Sequence, residues 1–377
     1  MRVRIDLRRV KNILYEFSNR FLLTFFLKLR YTIEKEGCYM RFDQPKKKAI
    51  ILYLLEKIYQ GDKSIAKTVS DNFDINQNTV HGYIKELVNE NIIRRVKRGE
   101  YELVENVYTY SLSRQEGHLD SDTYAFEAFL KQHLKDFDRN VKDVWAYAFS
   151  EMTNNVMDHS AAEHLRLIVT QTYLNTSVFL IDDGVGIFKK IKDHFGYDTL
   201  DDAIDELFKG KLTTDSANHS GEGIFFSSKL MDQFMIISDR KVFTHNKYED
   251  MSVDSMQYSP QVGTCVYMML SNFSQKNPQD VFDRYADIEG GFTKTLIPLK
   301  NMFDTSPVSR SQAKRVCNRL EAFEEVIIDF ADIDWIGQGF AHQIFVVFQS
   351  AHPQITLKPI NMCDTVKKMY LHVTQTV

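Results

Sequence analysis

"SEMTNNVMDHS" (150–160) crowds Glu151, Asn154, Asn155, Asp158 and His159 into a stretch that otherwise reads as a helix. A buried helix has no use for so many polar groups unless something polar lies against them. Glu151 and Asn155 stand four residues apart and so share one helical face. Just downstream, "LRLIVTQTYL" and "TSVFLIDDGVGI" are rich in β-branched residues, meet around Asn175, and read as antiparallel strands. A polar helix face, a hairpin and a glycine-rich strand end therefore follow one another. That order decides the reading of the central part of the chain.

Two further glycine motifs sit at sensible distances. Asp182-x-Gly184-x-Gly186 directly follows an apolar strand, and Gly221-x-Gly223 opens a helix with Thr213 and Thr214 ahead of it. Gly263-Thr264, opening a later strand, is a weaker fourth element. A buried Asp at a strand end can accept a hydrogen bond from an exocyclic amine such as that of adenine. The glycines after it let the backbone turn tightly and approach a flat ring. Gly221 and Gly223 expose backbone N–H groups at a helix N-terminus, where phosphate is favoured. Asn155 offers a neutral oxygen of the kind Mg2+ accepts, and Glu151, one turn earlier, can orient or deprotonate a water or hydroxyl.

Together these motifs resemble the Bergerat-type (GHKL) ATP site shared by gyrase, Hsp90, histidine kinases and MutL. "SEMTNNVMDHS" and "IDDGVGIF" look most like the serine-kinase anti-sigma-factor branch, and the resemblance covers about 120–272. It implies ATP and Mg2+ as cofactors, with Asn155 on the metal, Glu151 as base, and Asp182 reading adenine with Thr264 beside it. Gly184, Gly186, Gly221 and Gly223 would shape the pocket, and 187–220 would be its mobile lid. Asn154 reads as a structural polar residue; Asp158 and His159 read as the helix end. The segment 121–150 holds only His133 and lacks the His-Glu phosphoacceptor pattern of sensor kinases. Nor is there the long second domain by which gyrase and MutL supply a lysine.

Ahead of this region, helical spacing runs over about 46–59 and 64–72. "DINQNTVHGYIKELVNENII" supplies a third helix, with Asn76 or Asn78 as N-cap and Val80, Ile84, Leu87 and Val88 as its buried stripe. "RRVKRGEYELVE" reads as a hairpin around Arg98-Gly99. Three helices and a basic hairpin resemble a winged helix-turn-helix domain over 45–106, which implies double-stranded DNA as a partner. Gln77, Asn78, Thr79, His81 and Tyr83 would then face bases, and Arg94, Arg95, Lys97 and Arg98 the phosphates. A domain of this shape used for protein contacts or dimerisation is the other reading.

Residues 1–44 form a basic leader or N-terminal extension, with eight Lys/Arg against two acidic residues in 1–30. Its apolar run "FLLTFFLKL" is interrupted by Lys28 and is far shorter than the roughly 20 residues of a membrane span. Codons for "KEG" ahead of "CYM" would read as a ribosome-binding site, which marks Met40 as a candidate natural start.

Beyond 285 the pattern becomes strand, turn, helix, strand, a βαβ rhythm that predicts parallel strands. Ser309 is placed to cap the helix in "SRSQAKRVCNRLEAF". "SRSQAKR", "IIDF" and "IGQGFAHQIF" make 285–377 similar to a STAS-like domain, with the match itself over about 285–372. STAS proteins of partner-switching systems carry a Ser or Thr phosphosite after that strand, whereas the turn here reads Asp334-Trp335-Ile336-Gly337-Gln338-Gly339. Gly337 and Gly339 fit either close packing at a helix N-terminus, over an anion or another domain, or simply the turn.

The expectation is a multidomain α/β protein: winged helix-turn-helix, Bergerat-type α/β sandwich and STAS-like α/β domain. A net charge of −4 excludes a general nucleic-acid coat and confines DNA contact to a local basic face. Four scattered cysteines fit a reducing, cytoplasmic setting. The function expected is an ATP-binding regulator that couples nucleotide binding or slow hydrolysis to DNA or partner binding, with a homodimer in keeping. A serine/threonine protein kinase of the anti-sigma-factor type and a non-catalytic, nucleotide-dependent scaffold are the alternatives.

Overall fold

A computed structural model describes residues 44–214, 221–244, 263–286, 291–303 and 305–375. The expectations for the leader and for Met40 lie outside these residues. The chain is mixed α/β and divides into two compact units.

The first unit comprises, of the described residues, 44–109 together with Ile168–Ser177 and Leu270–Phe273. Helices α1 (Gln44–Tyr59), α2 (Ile65–Phe73) and α3 (Gln77–Asn89) precede a two-stranded antiparallel hairpin, β1 (Ile93–Lys97) and β2 (Glu100–Leu103). Asn76 caps α3, its side chain accepting from the Asn78 N–H at 2.8 Å. Ile50, Leu54, Ile58, Val69, Val80 and Ile84 are among the buried residues of its core. Val80, Ile84 and Leu87 are buried as the stripe predicts, whereas Val88 stands 38 % exposed. The stripe is thus one residue narrower than the sequence implied: 3.6-residue periodicity turns Val88 off the face that Val80, Ile84 and Leu87 share.

The second unit comprises the described residues within Tyr110–Leu167, Val178–Met269 and Ser274–Val377. Along the chain from residue 106 come β3 (Asn106–Ser113), α4 (Asp122–Ala125), α5 (Arg139–Asn155), β4 (His164–Gln171), β5 (Asn175–Asp182), α6 (Ile187–Phe195) and α7 (Leu200–Lys209). Then come α8 (Gly223–Leu230), β6 (Gln233–Ser238), β7 (Lys241–Thr244), β8 (Thr264–Ser271) and α9 (Pro278–Phe282). A six-stranded sheet has the order β3-β4-β5-β8-β6-β7, so the late strand β8 lies between two earlier hairpins. Strand β6 pairs antiparallel with both β7 and β8. Helix α5 forms because Val141, Val144, Trp145, Ala148, Phe149 and Met152 recur on one face, all fully buried.

The C-terminal part holds β9 (Lys294–Pro298), α10 (Leu299–Met302), α11 (Arg310–Cys317), β10 (Glu325–Asp329), α12 (Gln338–His342, extended by a wider turn over Gln343–Phe348), β11 (Thr356–Ile360) and α13 (Asp364–Thr374). Its sheet, ordered β11-β10-β9, is parallel throughout, as the βαβ rhythm requires. Ser309 caps α11 through a capping box with Gln312. A Cβ on Gly337 would lie 2.4 Å from the Val308 carbonyl oxygen, so this glycine serves close packing of the turn on residue 308.

Candidate functional site

Seven of the eight residues expected at the nucleotide site, all but Gly184, line one cavity of about 310 Å³ in the second unit. Glu151 and Asn155 reach it from one face of α5, as the i, i+4 spacing requires. The helix then continues through one wider turn, Val156–Ser160, closed by Ala161 in the left-handed conformation. Ser160 ties that turn, its hydroxyl donating to Val156 O at 2.6 Å and accepting from the Ala162 N–H at 2.9 Å. Arg114 adds bonds to the carbonyls of Met157 and Ala162 at 3.0 and 3.2 Å.

Gly184 acts from behind the wall. Its Cβ would lie 2.2 Å from the Ser160 carbonyl oxygen, and that oxygen accepts the Val185 N–H at 2.8 Å. Only glycine lets the strand end dock on the helix end there. Asp183 holds the same junction from outside, accepting the N–H groups of Glu163 and His164 at 2.9 Å each.

Asp182 is the most constrained polar group. It is 5 % exposed, and its Oδ1 accepts from the N–H of Gly184 at 2.8 Å and of Thr264 at 3.2 Å. Burial pushes its carboxyl up to about 6, against the pull of those two N–H groups. Its other oxygen makes no hydrogen bond among the described residues and is available to the cavity. Thr264, 6 % exposed, spends its hydroxyl on the N–H of Ile187, the first residue of α6. Gly263, with φ +107, makes this approach feasible, because a Cβ would lie 2.1 Å from the Asp182 carbonyl oxygen. Ile236 and Val266 supply apolar wall beside this end.

Gly221 and Gly223 form another part of the cavity wall. A Cβ on Gly223 would meet Glu151 Oε2 at 2.0 Å, so the carboxylate sits directly against the first residue of α8. Gly221 has φ +73, and its Cβ would lie 2.5 Å from the Leu212 nitrogen. Asn155 donates from Nδ2 only to the Met152 sulfur, at 4.0 Å, and its carboxamide oxygen makes no hydrogen bond among the described residues. Among the described residues no cluster of three or more His, Cys, Asp or Glu could hold a metal. A cation here would lean on Asn155 and on a ligand's own oxygens.

Sequence reasoning missed Lys190, which lines the cavity from α6 and donates to the His159 carbonyl at 2.6 Å. Its position four residues after Gly186 was the available signal. Asn154 and His159, read as structural, line the cavity as well. The segment expected as a mobile lid is, over 187–214, largely two helices. Every residue of α7 from Ala203 to Lys209 is buried, and Asp205, Glu206 and Lys209 among them pair with groups on and beside α11. Residues 215–220 lie outside the described residues.

In the first unit, Gln77, Asn78 and His81 are exposed on α3, and Arg94, Arg95, Lys97 and Arg98 on the hairpin. Thr79 is half-buried. Tyr83 does not project with them: it packs against the core, with the Lys47 ammonium 5.7 Å from its ring centroid. Arg94 pairs with Glu102, and Lys97 with Glu100 at 2.9 Å, so half of the hairpin's positive charge is locally matched.

Residues 312–367 match the family model of a STAS-like domain of unknown function. Strand β9 and the start of α11 precede the matched residues. No curated protein matches the chain. Among the described residues, no helix is long and apolar enough to cross a membrane.

Proposed function

We propose that the chain is an ATP-binding regulatory protein of the GHKL type, in which the second unit takes Mg2+-ATP and nucleotide binding or slow hydrolysis sets DNA or partner binding. The observation that carries this reading is the Asp182 carboxylate: buried, held by two N–H groups on one oxygen, and offering the other to a cavity. An adenine amine suits that acceptor, and Ile236 and Val266 suit the face of the ring. The Gly221–Gly223 wall at the N-terminus of α8 suits phosphate oxygens. Asn155 would hold Mg2+, which when bound neutralises phosphate charge. Glu151, one turn away, is the candidate base for a water or hydroxyl facing the terminal phosphate. The matched STAS-like domain is compatible with a protein partner.

Calorimetric titration of Mg2+-ATP into the full chain tests the reading. Micromolar binding, about 8 kcal/mol, is expected. Glu151→Gln should keep that affinity while phosphate release, or transfer to a protein hydroxyl, falls at least tenfold. Unchanged turnover in Glu151→Gln would remove it as the base.

Double-stranded DNA is the partner we assign to the first unit, as a winged helix-turn-helix. The exposed polar face of α3 and the hairpin residues Arg95 and Arg98, which have no acidic partner among the described residues, support it. Binding to duplex DNA should weaken steeply between about 50 and 200 mM salt. Salt-insensitive or absent binding would leave this unit as a protein-contact module.

A further inference from the structure

We infer that Arg319, a residue of the C-terminal STAS-like domain, is a positioning residue for the cavity on the second unit. The inference rests on the nucleotide reading above. The link is a single peptide group. The guanidinium of Arg319 donates through Nη2 to the Lys211 carbonyl oxygen. The N–H of that same peptide, on Leu212, donates to the Gly221 carbonyl oxygen at 3.1 Å. A peptide is planar and trans, so its C=O and N–H point in opposite directions and turn together. Fixing the oxygen from the STAS-like side therefore fixes the N–H that carries Gly221. Gly210 and Leu212, on either side of Lys211, both line the cavity, as do Gly221 and Gly223.

The surroundings leave this peptide little freedom. Arg319 also pairs through Nη1 with Glu206 Oε2 at 3.0 Å, and Glu206 Oε1 accepts from Lys209 at 2.7 Å and Asn318 at 2.8 Å. Thr295 of β9 donates to the Lys209 carbonyl at 2.7 Å, and Lys211 Nζ donates to the Ala322 carbonyl at 2.9 Å. Between the two lysines, Gly210 has φ +81 and no room for a side chain, since a Cβ would lie 2.8 Å from the Phe292 ring. Leu212 is closed in the same way, because a Cβ on Gly221 would strike its backbone. The strip 209–212 is thus bonded to the STAS-like side on one flank and forms cavity wall on the other.

Two consequences follow. The glycine wall, which faces phosphate in the nucleotide reading, is completed only when the STAS-like domain is in place. By reciprocity of linkage, a ligand that orders that wall must also tighten the hold of Arg319 on Lys211. Cavity occupancy is in this way communicated to α11 and the turn after it without any ligand contact there.

The experiment uses the full chain. Arg319→Ala should weaken Mg2+-ATP about tenfold in calorimetric titration and leave adenosine, which relies on the Asp182–Thr264 end, within about twofold. Thermal melting monitors the fold of the variant. In the unmutated chain, Mg2+-ATP should slow amide hydrogen exchange over 310–322 by about threefold or more, with exchange over 356–360 unchanged. Unchanged ATP affinity in Arg319→Ala, an equal loss for ATP and adenosine, or unaltered or faster exchange over 310–322 in ATP-bound protein would each overturn the inference. Failure of the unmutated chain to bind either ligand would be a different result: it would overturn the nucleotide reading itself.

Discussion

Replacing Asp182 by Asn should abolish micromolar nucleotide binding, with a loss of about 3 kcal/mol or more, roughly 100-fold. The substitution is nearly isosteric, and the carboxamide oxygen can still accept the N–H groups of Gly184 and Thr264. What changes is the second position, where an NH2 donor would replace the oxygen available to the cavity. Two donors then face each other in a buried site, and neither finds an acceptor. Calorimetric titration reads the loss directly, and micromolar binding retained in Asp182→Asn would remove Asp182 as the adenine-reading group.

The same carboxyl predicts a pH dependence. Burial raises its pKa from 3.8 to about 6. The folded protein therefore keeps this proton between about pH 4 and 6, where the unfolded chain has released it. The contribution of the group to stability is greatest below about pH 4 and is lost as pH rises through about 6. Ligand affinity runs the other way, because the acceptor is generated only on ionisation. Mg2+-ATP should bind more weakly below about pH 6, by up to tenfold per pH unit, and Asp182→Asn should show no such inflection at its residual affinity.

The largest stability effect is expected at Lys209. Its side chain is fully buried, and its ammonium donates to Glu206 Oε1 at 2.7 Å and to the carbonyls of Arg315 and Asn318 at 2.7 and 2.8 Å. Burial lowers its pKa, and Glu206 opposes that shift by favouring the charged form. Lys209→Met keeps the apolar stem but leaves a buried carboxylate oxygen and two carbonyls short of a donor. Removing one partner of a buried pair costs about 3–5 kcal/mol. Denaturant unfolding should show that loss in the transition that reports the second unit, and a change below about 1 kcal/mol would mean that water or Arg319 satisfies Glu206 instead.

Those two residues mark what the sequence could and could not tell. Asp182 was legible because its signal is local: an apolar strand, a carboxylate and two glycines within five positions. Glu151 and Asn155 were legible for the same reason, since helical periodicity alone puts them on one face. Ser309 and the parallel C-terminal strands were also written in short-range patterns. Lys209, Glu206 and Asp205 were not. "LDDAIDELFKG" lies in the stretch 187–220 that the sequence marks only as a mobile lid, and partners more than 100 residues away make these side chains buried. Tyr83 is a case of the opposite kind: the winged-helix resemblance set it among the base-facing residues, whereas it packs partly buried against the core, with the Lys47 ammonium over its ring. Charge burial and ring packing are decided by what arrives from elsewhere in the chain, which no local window contains.

The place of β8 in the six-stranded sheet sets the order in which this site can be assembled. The hairpins β4-β5 and β6-β7 close over short loops and can form early, but each carries only part of the cavity. Asp182 acquires its Thr264 partner, 82 residues away in sequence, only when β8 inserts between them. Loop closure of that length is costly until the strand's many contacts are made together. The cavity should therefore appear in a late, cooperative folding step. A nascent chain that has not yet exposed residue 271 would hold both hairpins and an incomplete cavity.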